Sequence, residues 1–177
     1  VTGNVLLNGT YNFREALWIT DLKATNVLDE AASQYGTITF DGQGNYSAAV
    51  SSWSSKDNAL TNYTRTGTYA ISSSGFGFIR RSSADGDYVY GSVANGVFVG
   101  SSTESGFNNL FVAAKQSTTP LTSAAFSQRY TLTYMNLATT SLSQIRDAVF
   151  QIAPNGAGSL GTVTVSGYSG GKDRKST

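Results

Sequence analysis

The sequence predicts an all-β fold: an eight-stranded antiparallel up-and-down barrel of lipocalin-like type over residues 1–115, then a partial second β module. Three observations carry this reading. Short runs rich in Val, Ile, Thr, Tyr and Phe alternate apolar and polar residues with the period of a strand. Turns containing glycine or asparagine separate these runs at hairpin spacing. The opening of the chain then recurs near its C-terminal end. Eight hairpin-connected strands suit a barrel because closure removes unpaired edges. A two-sheet sandwich is the alternative, since a strand count does not separate the two.

Tyr11 to Leu22 reads as a long first strand, with Tyr11, Phe13, Leu17 and Ile19 on one parity and Trp18 on the other. Lys23 to Ser33 holds Val27-Leu28-Asp29-Glu30-Ala31-Ala32, which fits one helical turn or a loop across the barrel mouth. Tyr35 to Phe40 is a period-2 strand. Asp41-Gly42-Gln43-Gly44-Asn45 supplies residues that tolerate positive φ, and Tyr46 to Trp53 returns beside it. Thr66 to Ile71 and Phe76 to Ile79 form a second hairpin through Ser72-Ser73-Ser74-Gly75. Tyr88 to Val93 and Val97 to Gly100 form a third through Ala94-Asn95-Gly96, and Leu110 to Ala114 makes the eighth strand.

Residues 116–127 read as a linker: Gln116 to Ser123 is polar and holds one of the two prolines. The repeat restarts after it. Arg129-Tyr130-Thr131-Leu132-Thr133-Tyr134 parallels Gly9-Thr10-Tyr11-Asn12-Phe13, and Pro154-Asn155-Gly156-Ala157-Gly158 parallels the Asp41 turn. Residues 128–177 are therefore expected to hold three strands, Tyr130 to Met135, Ala148 to Ile152 and Leu160 to Val165, followed by a polar tail.

Composition narrows function by exclusion. Charged residues make up 13% of the chain against about 25% in ordinary soluble domains, and the formal charge is +1. That balance argues against nucleic acid, which needs a basic patch to displace phosphate counterions. Arg80-Arg81 and the basic tail read as solvated surface. Histidine and cysteine are both absent, which removes the commonest metal ligand and general base, any thiolate site and any Ser-His-Asp arrangement. No apolar run approaches the ~20 residues of a membrane-spanning helix. The chain is expected to be extracellular, secreted or at the cell surface, with no cofactor and no metal.

Asp41-Gly42-Gln43-Gly44-Asn45 and Asp85-Gly86-Asp87 look like pieces of calcium loops but lack the several carboxylates such loops need, so they read as turns. Glu15 and Glu104 are the two acids worth weighing for hydrolysis, and each reads as a strand-end charge facing water. The remaining candidates are aromatic. Trp18, Trp53, Tyr63, Tyr88 and Tyr90 are candidates to line a lumen for a small apolar ligand, or to form a face on which a glycan stacks.

The run Leu7-Asn8-Gly9-Thr10-Tyr11-Asn12-Phe13 with Gly36-Thr37-Ile38-Thr39-Phe40-Asp41-Gly42-Gln43-Gly44-Asn45-Tyr46 resembles the N-terminal module of a group of secreted proteins common in Acidobacteria. Gly67-Thr68-Tyr69 and Val99 to Gly106 share that resemblance, and Arg146 to Phe150 through Asn155 to Gly161 is similar to the second module of the group. The matching residues belong to turns and strands, so the resemblance implies a fold and no activity.

The expectation is a non-catalytic structural or surface protein. Its second module would associate by β-strand addition, as a homo-oligomer or filament subunit or with other surface proteins, through Tyr130, Leu132, Tyr134, Val149, Phe150, Ile152, Val163 and Val165.

Overall fold

Odd-numbered side chains from Tyr11 to Leu17 turn inward along the first strand, and this parity organises the N-terminal half of the molecule. The computed structural model describes residues 3–20, 28–81, 87–137, 145–169 and 172–176. These divide between two units, Val1–Gln116 and Ser117–Thr177.

The first unit contains β1 (Asn8–Thr20), β2 (Leu28–Asp41), β3 (Asn45–Ser54), β4 (Ala59–Ile71), β5 (Phe76–Arg80), β6 (Tyr88–Ala94), β7 (Val97–Ser101), β8 (Thr103–Glu104) and β9 (Phe107–Lys115). Each strand pairs antiparallel with the next as far as β7. The short strands β7 and β8 lie end to end along β9, with Gly100 opposite Phe111 and Thr103 opposite Asn108, and so make one stave. β9 returns to β1, with Tyr11 opposite Lys115 and Ile19 opposite Phe107, which closes an eight-stave barrel.

All eight predicted strands are present, and β2 starts earlier than its pattern suggests. Leu28 to Ser33, the segment read as a helical turn or loop, is extended and pairs with β1, Ala31 opposite Trp18. Pairing with a long neighbouring strand outweighs the local helix propensity of Leu-Asp-Glu-Ala-Ala. Val27 lies outside the described residues.

Side chains fill the barrel interior. Phe40 packs edge-on to Tyr11 and Tyr69, with ring centroids 5.3 and 5.0 Å away. Phe13 stacks on Phe111 at 5.5 Å, and Phe111 meets Phe98 at 6.1 Å. Gly36 stands opposite Phe13, and a Cβ there would sit 1.9 Å from the Ala49 carbonyl oxygen. Glycine is therefore needed for the close approach of β2 and β3. A 3-10 turn at Asn4–Leu6 plugs one end. Asn4 Oδ1 accepts the Ile71 N–H at 2.8 Å, and the Tyr69 hydroxyl donates to the Leu7 carbonyl at 2.8 Å.

The second unit is a sheet of four described strands: β10 (Tyr130–Leu137), β11 (Ile145–Ile152), β12 (Val165–Ser169) and β13 (Lys172–Ser176). This corrects the expected three strands and tail. The third strand forms at Val165–Ser169, C-terminal to the expected Leu160–Val165, and residues 172–176 add a fourth.

The internal repeat holds in the backbone through the 3-10 turn, the first strand pair and the turn that follows it. A 3-10 turn at Ser123–Ala125 precedes β10 as Asn4–Leu6 precedes β1, so the second copy begins inside the stretch read as linker. Tyr130 stands opposite Ile152 as Tyr11 stands opposite Ile38, and Leu132 opposite Phe150 as Phe13 opposite Gly36. The turns match as well. Asp41 Oδ1 accepts the N–H groups of Gln43, Gly44 and Asn45 at 2.7, 2.9 and 2.9 Å. Asn155 Oδ1 accepts those of Ala157 and Ser159 at 2.8 and 3.2 Å. Gly42 and Gly156 have φ of 73° and 72°, values that favour glycine. Asp41 is thus occupied by its own turn, which supports reading this loop as a turn; Asp85 and Gly86 lie outside the described residues.

Two outcomes follow. Phe40→Ala should destabilise the barrel by about 3–5 kcal/mol, read by denaturant unfolding, since Phe40 is 1% exposed between three rings. Hydrogen bonds from Asn45 and the turn N–H groups hold the Asp41 carboxyl down to about 2 from its usual 3.8. A lowered carboxyl contributes stability that is complete above about pH 4 and fades as pH falls through about 2. Asp41→Asn should keep the turn, as Asn155 does in the second copy, and abolish that step in an NMR pH titration.

Candidate functional site

The barrel interior carries aromatic and aliphatic side chains near the N-terminal plug and a polar layer toward the end where β1 and β5 finish. None of the five aromatic residues predicted to bind ligand is buried in that interior. Tyr88 and Tyr90 alternate with the buried Val89 and so face outward, where they stack on each other at 5.8 Å and meet Phe78 at 5.1 and 6.1 Å. Trp18 is half-buried on the parity opposite to Leu17. Trp53 stands opposite Leu60 and is 40% exposed. Tyr63 borders a shallow surface groove with Thr37, Ala49, Ser51 and Asn62. The lumen-lining expectation fails because the interior positions are filled by other rings; the outer aromatic face remains.

The polar layer was missed in the sequence. Glu15 is 2% exposed and faces inward, where its Oε1 meets the Arg81 guanidinium and accepts from Asn109 Nδ2. Arg81 also reaches Asp87 Oδ2 at 3.5 Å, and its guanidinium lies 5.5 Å from the Phe107 ring centroid. Asn109 Oδ1 takes the Ser102 N–H, whose hydroxyl donates to the Tyr88 carbonyl at 2.8 Å. Glu104 accepts the Tyr88 N–H at 3.0 Å. Burial pulls the Arg81 guanidinium below its ordinary value and pushes the Asp87 carboxyl above its own, each against the attraction of the other.

These contacts correct three readings. Glu15 is an interior ion-pair partner, and Glu104 holds a backbone N–H; neither is a free strand-end charge. Arg81 is buried, whereas it was expected on the surface. The signal was present in the parity: Glu15 shares the inward register of Tyr11, Phe13 and Leu17. The network ties β1, β6, β9 and the β7–β8 stave together at one level. Chemically it is a staple, because Glu15 is enclosed by its partners.

In the second unit six of the eight predicted assembly residues share one face. Tyr130, Leu132 and Tyr134 stand opposite Ile152, Phe150 and Ala148, and Phe150 stands opposite Val165, so these residues share one face of the sheet. Val149 lies on the other face and is 54% exposed. Val163 is half-buried in the segment before β12. In the barrel the positions matching Tyr130, Leu132 and Tyr134 are sealed: Tyr11, Phe13 and Glu15 are 0%, 3% and 2% exposed, whereas Tyr130 and Leu132 are half-buried. Tyr134, by contrast, is 49% exposed. Phe126 stacks on Tyr130 at 4.7 Å and covers one end of the face. Among the described residues, β10 and β13 each have a ladder partner on one side only.

No model of a known protein family matches this chain, and no curated protein is similar to it.

Arg81→Met should cost about 3–5 kcal/mol in barrel stability, because Glu15 is left buried and unpaired. Adding Glu15→Leu to Arg81→Met should recover part of the loss, measured by denaturant unfolding of both variants.

Proposed function

We propose that the chain is a non-catalytic structural protein, secreted or displayed at the cell surface, that associates through β-strand addition to its second unit. One observation carries this reading. The second unit repeats the first two staves of the barrel in register and in turn geometry, yet on the face equivalent to the barrel's inner one Tyr134 is 49% exposed, where the matching Glu15 of the barrel is 2% exposed. A sheet with an apolar face and edges of this kind is a template for added strands. The absence of cysteine and histidine and the low charge support an extracellular, non-catalytic role. No helix among the described residues is long and apolar enough to cross a membrane.

A second reading, glycan binding, is favoured by the outward-facing cluster of Phe78, Tyr88 and Tyr90. A lumen carrier for an apolar ligand has less support, since the interior is packed.

Hydrogen exchange at the β10 amides that β11 does not accept tests strand addition. Protection that grows with protein concentration and is lost in Leu132→Asp supports it. Free exchange at every concentration would rule out self-association by this route.

A further inference from the structure

We infer that the polar layer of the barrel is a binding site for enclosed water, held between Glu15 and Gln34 on one side and Arg65, Arg81 and Asp87 on the other. The inference concerns the first unit and stands apart from strand addition.

The layer is organised by a pair that crosses the interior. β1 and β5 lie four staves apart in a ring of eight, and Arg81 stands just beyond β5, yet its guanidinium meets Glu15 Oε1. That same oxygen also accepts from Asn109 Nδ2, so both partners of Glu15 fall on one side of its carboxylate. Glu15 Oε2 is enclosed and has no donor among the described residues. Gln34 stands opposite Glu15 on β2, with Ser52 on its other flank, and is itself 9% exposed. Its Oε1 is enclosed and without a donor in the same way.

The facing staves carry the complementary groups. Arg65 stands opposite the buried Ala48 and shares its inward register. Asp87 feels the charges of both Arg81 and Arg65. Arg81 Nε, Arg65 Nε and Asp87 Oδ1 are enclosed, and none has a hydrogen-bond partner among the described residues. Water satisfies such groups before folding, and a buried donor or acceptor that finds no replacement loses that bond without return. Five unmade bonds would offset a large share of a domain's net stability.

The mixture of groups names the ligand. A cation fitted to Glu15 Oε2, Gln34 Oε1 and Asp87 Oδ1 would be set against two guanidinium groups. An anion fitted to the Arg65 and Arg81 N–H groups would be set against two acidic side chains. A neutral hydroxyl both donates and accepts, so it serves both sets. All five atoms are sealed from bulk solvent, which selects the smallest such molecule, and an enclosed water typically makes about three hydrogen bonds to groups of this kind. Water held here also completes the staple. Direct contacts tie β1, β6, β9 and the β7–β8 stave, whereas a bridging water brings in β2 through Gln34 and β4 through Arg65.

The repeat supplies a contrast. The rung Glu15–Gln34 of the barrel corresponds to Tyr134–Ala148 in the second unit, which offers one hydroxyl and neither carboxylate nor amide. The site therefore belongs to the first copy, together with the staves that complete its ring.

Two measurements on the full chain test this. A crystal structure at about 1.2 Å resolution should show oxygen-sized density at hydrogen-bond distance from Glu15 Oε2, Gln34 Oε1 and Arg81 Nε. In solution, the Hγ protons of Glu15 and Gln34 should give cross-peaks to water with the sign of water held longer than the protein tumbles. Gln34→Leu removes one acceptor from the rim of the layer and should weaken the Glu15 cross-peak roughly twofold or more. Direct pairing of these atoms with protein groups, with neither density nor cross-peak, would overturn the inference. Density for a larger solute would overturn water as the ligand.

Discussion

The register of the first hairpin is the constraint on which the rest depends. Asp41 Oδ1 gathers three successive N–H groups, and Gly42 and Gly44 take positive φ, which fixes Phe40 opposite Tyr46. Side chains alternate along a strand, so a slip of one residue in β3 would turn Tyr46, Ala48 and Val50 outward and bring Ser47, Ala49 and Ser51 in. Every later stave is aligned on this pair. The barrel closes only because the inward set begun here meets the inward set of β9, where Phe111 stacks on Phe13.

A charged layer inside such a barrel calls for a reason. Burying an ion pair contributes little net stability, while leaving either partner alone is costly. Glu15 and Arg81 therefore act less as glue than as a requirement that the staves carrying them meet at one level. Arg81 stands just beyond β5, and its N–H donates to the Asp87 carbonyl at 2.8 Å, so the β5–β6 pairing extends by one step past the strands. Asn109 diverts the Ser102 N–H from the ladder into a side-chain bond, which is why β7 and β8 are separate strands on one stave. The interruption introduces no register slip, since the pairing of Gly100 with Phe111 continues in phase at Thr103 with Asn108.

Much of the fold was legible in the sequence because strands and turns are written locally. Period-2 runs marked all eight staves, and Asp41-Gly42 and Asn95-Gly96 marked turns that do take positive φ. What escaped depends on distant partners. Leu28 to Ser33 has the composition of a helix and becomes strand because β1 runs beside it. Arg81 opens the polar stretch Arg81-Ser82-Ser83-Ala84-Asp85 in the sequence, and its burial is decided by Glu15 far away in the chain. Of the candidate assembly residues, Tyr130, Leu132, Tyr134, Phe150, Ile152 and Val165 share a face because they alternate regularly, whereas Val149 lies on the other face and Val163 before β12; the aromatic set scattered over the outer surface because aromatic character alone does not fix a face.

The second unit departs from the first at one point, and the departure has a chemical sense. The Asn155 turn sets Asn155 opposite Ser159, as the Asp41 turn sets Asp41 opposite Asn45. Continued in phase, that turn would place Phe150 opposite Thr164 and Ala148 opposite Ser166. The ladder instead sets Phe150 opposite Val165 and Ala148 opposite Gly167, one residue on. Residues 160–164 form no strand and absorb the extra residue. In phase, the inner face would carry hydroxyls at β12. One residue out of phase, it carries Val165 beside Phe150 and Gly167 beside Ala148, so the slip keeps hydroxyls away from this part of the face.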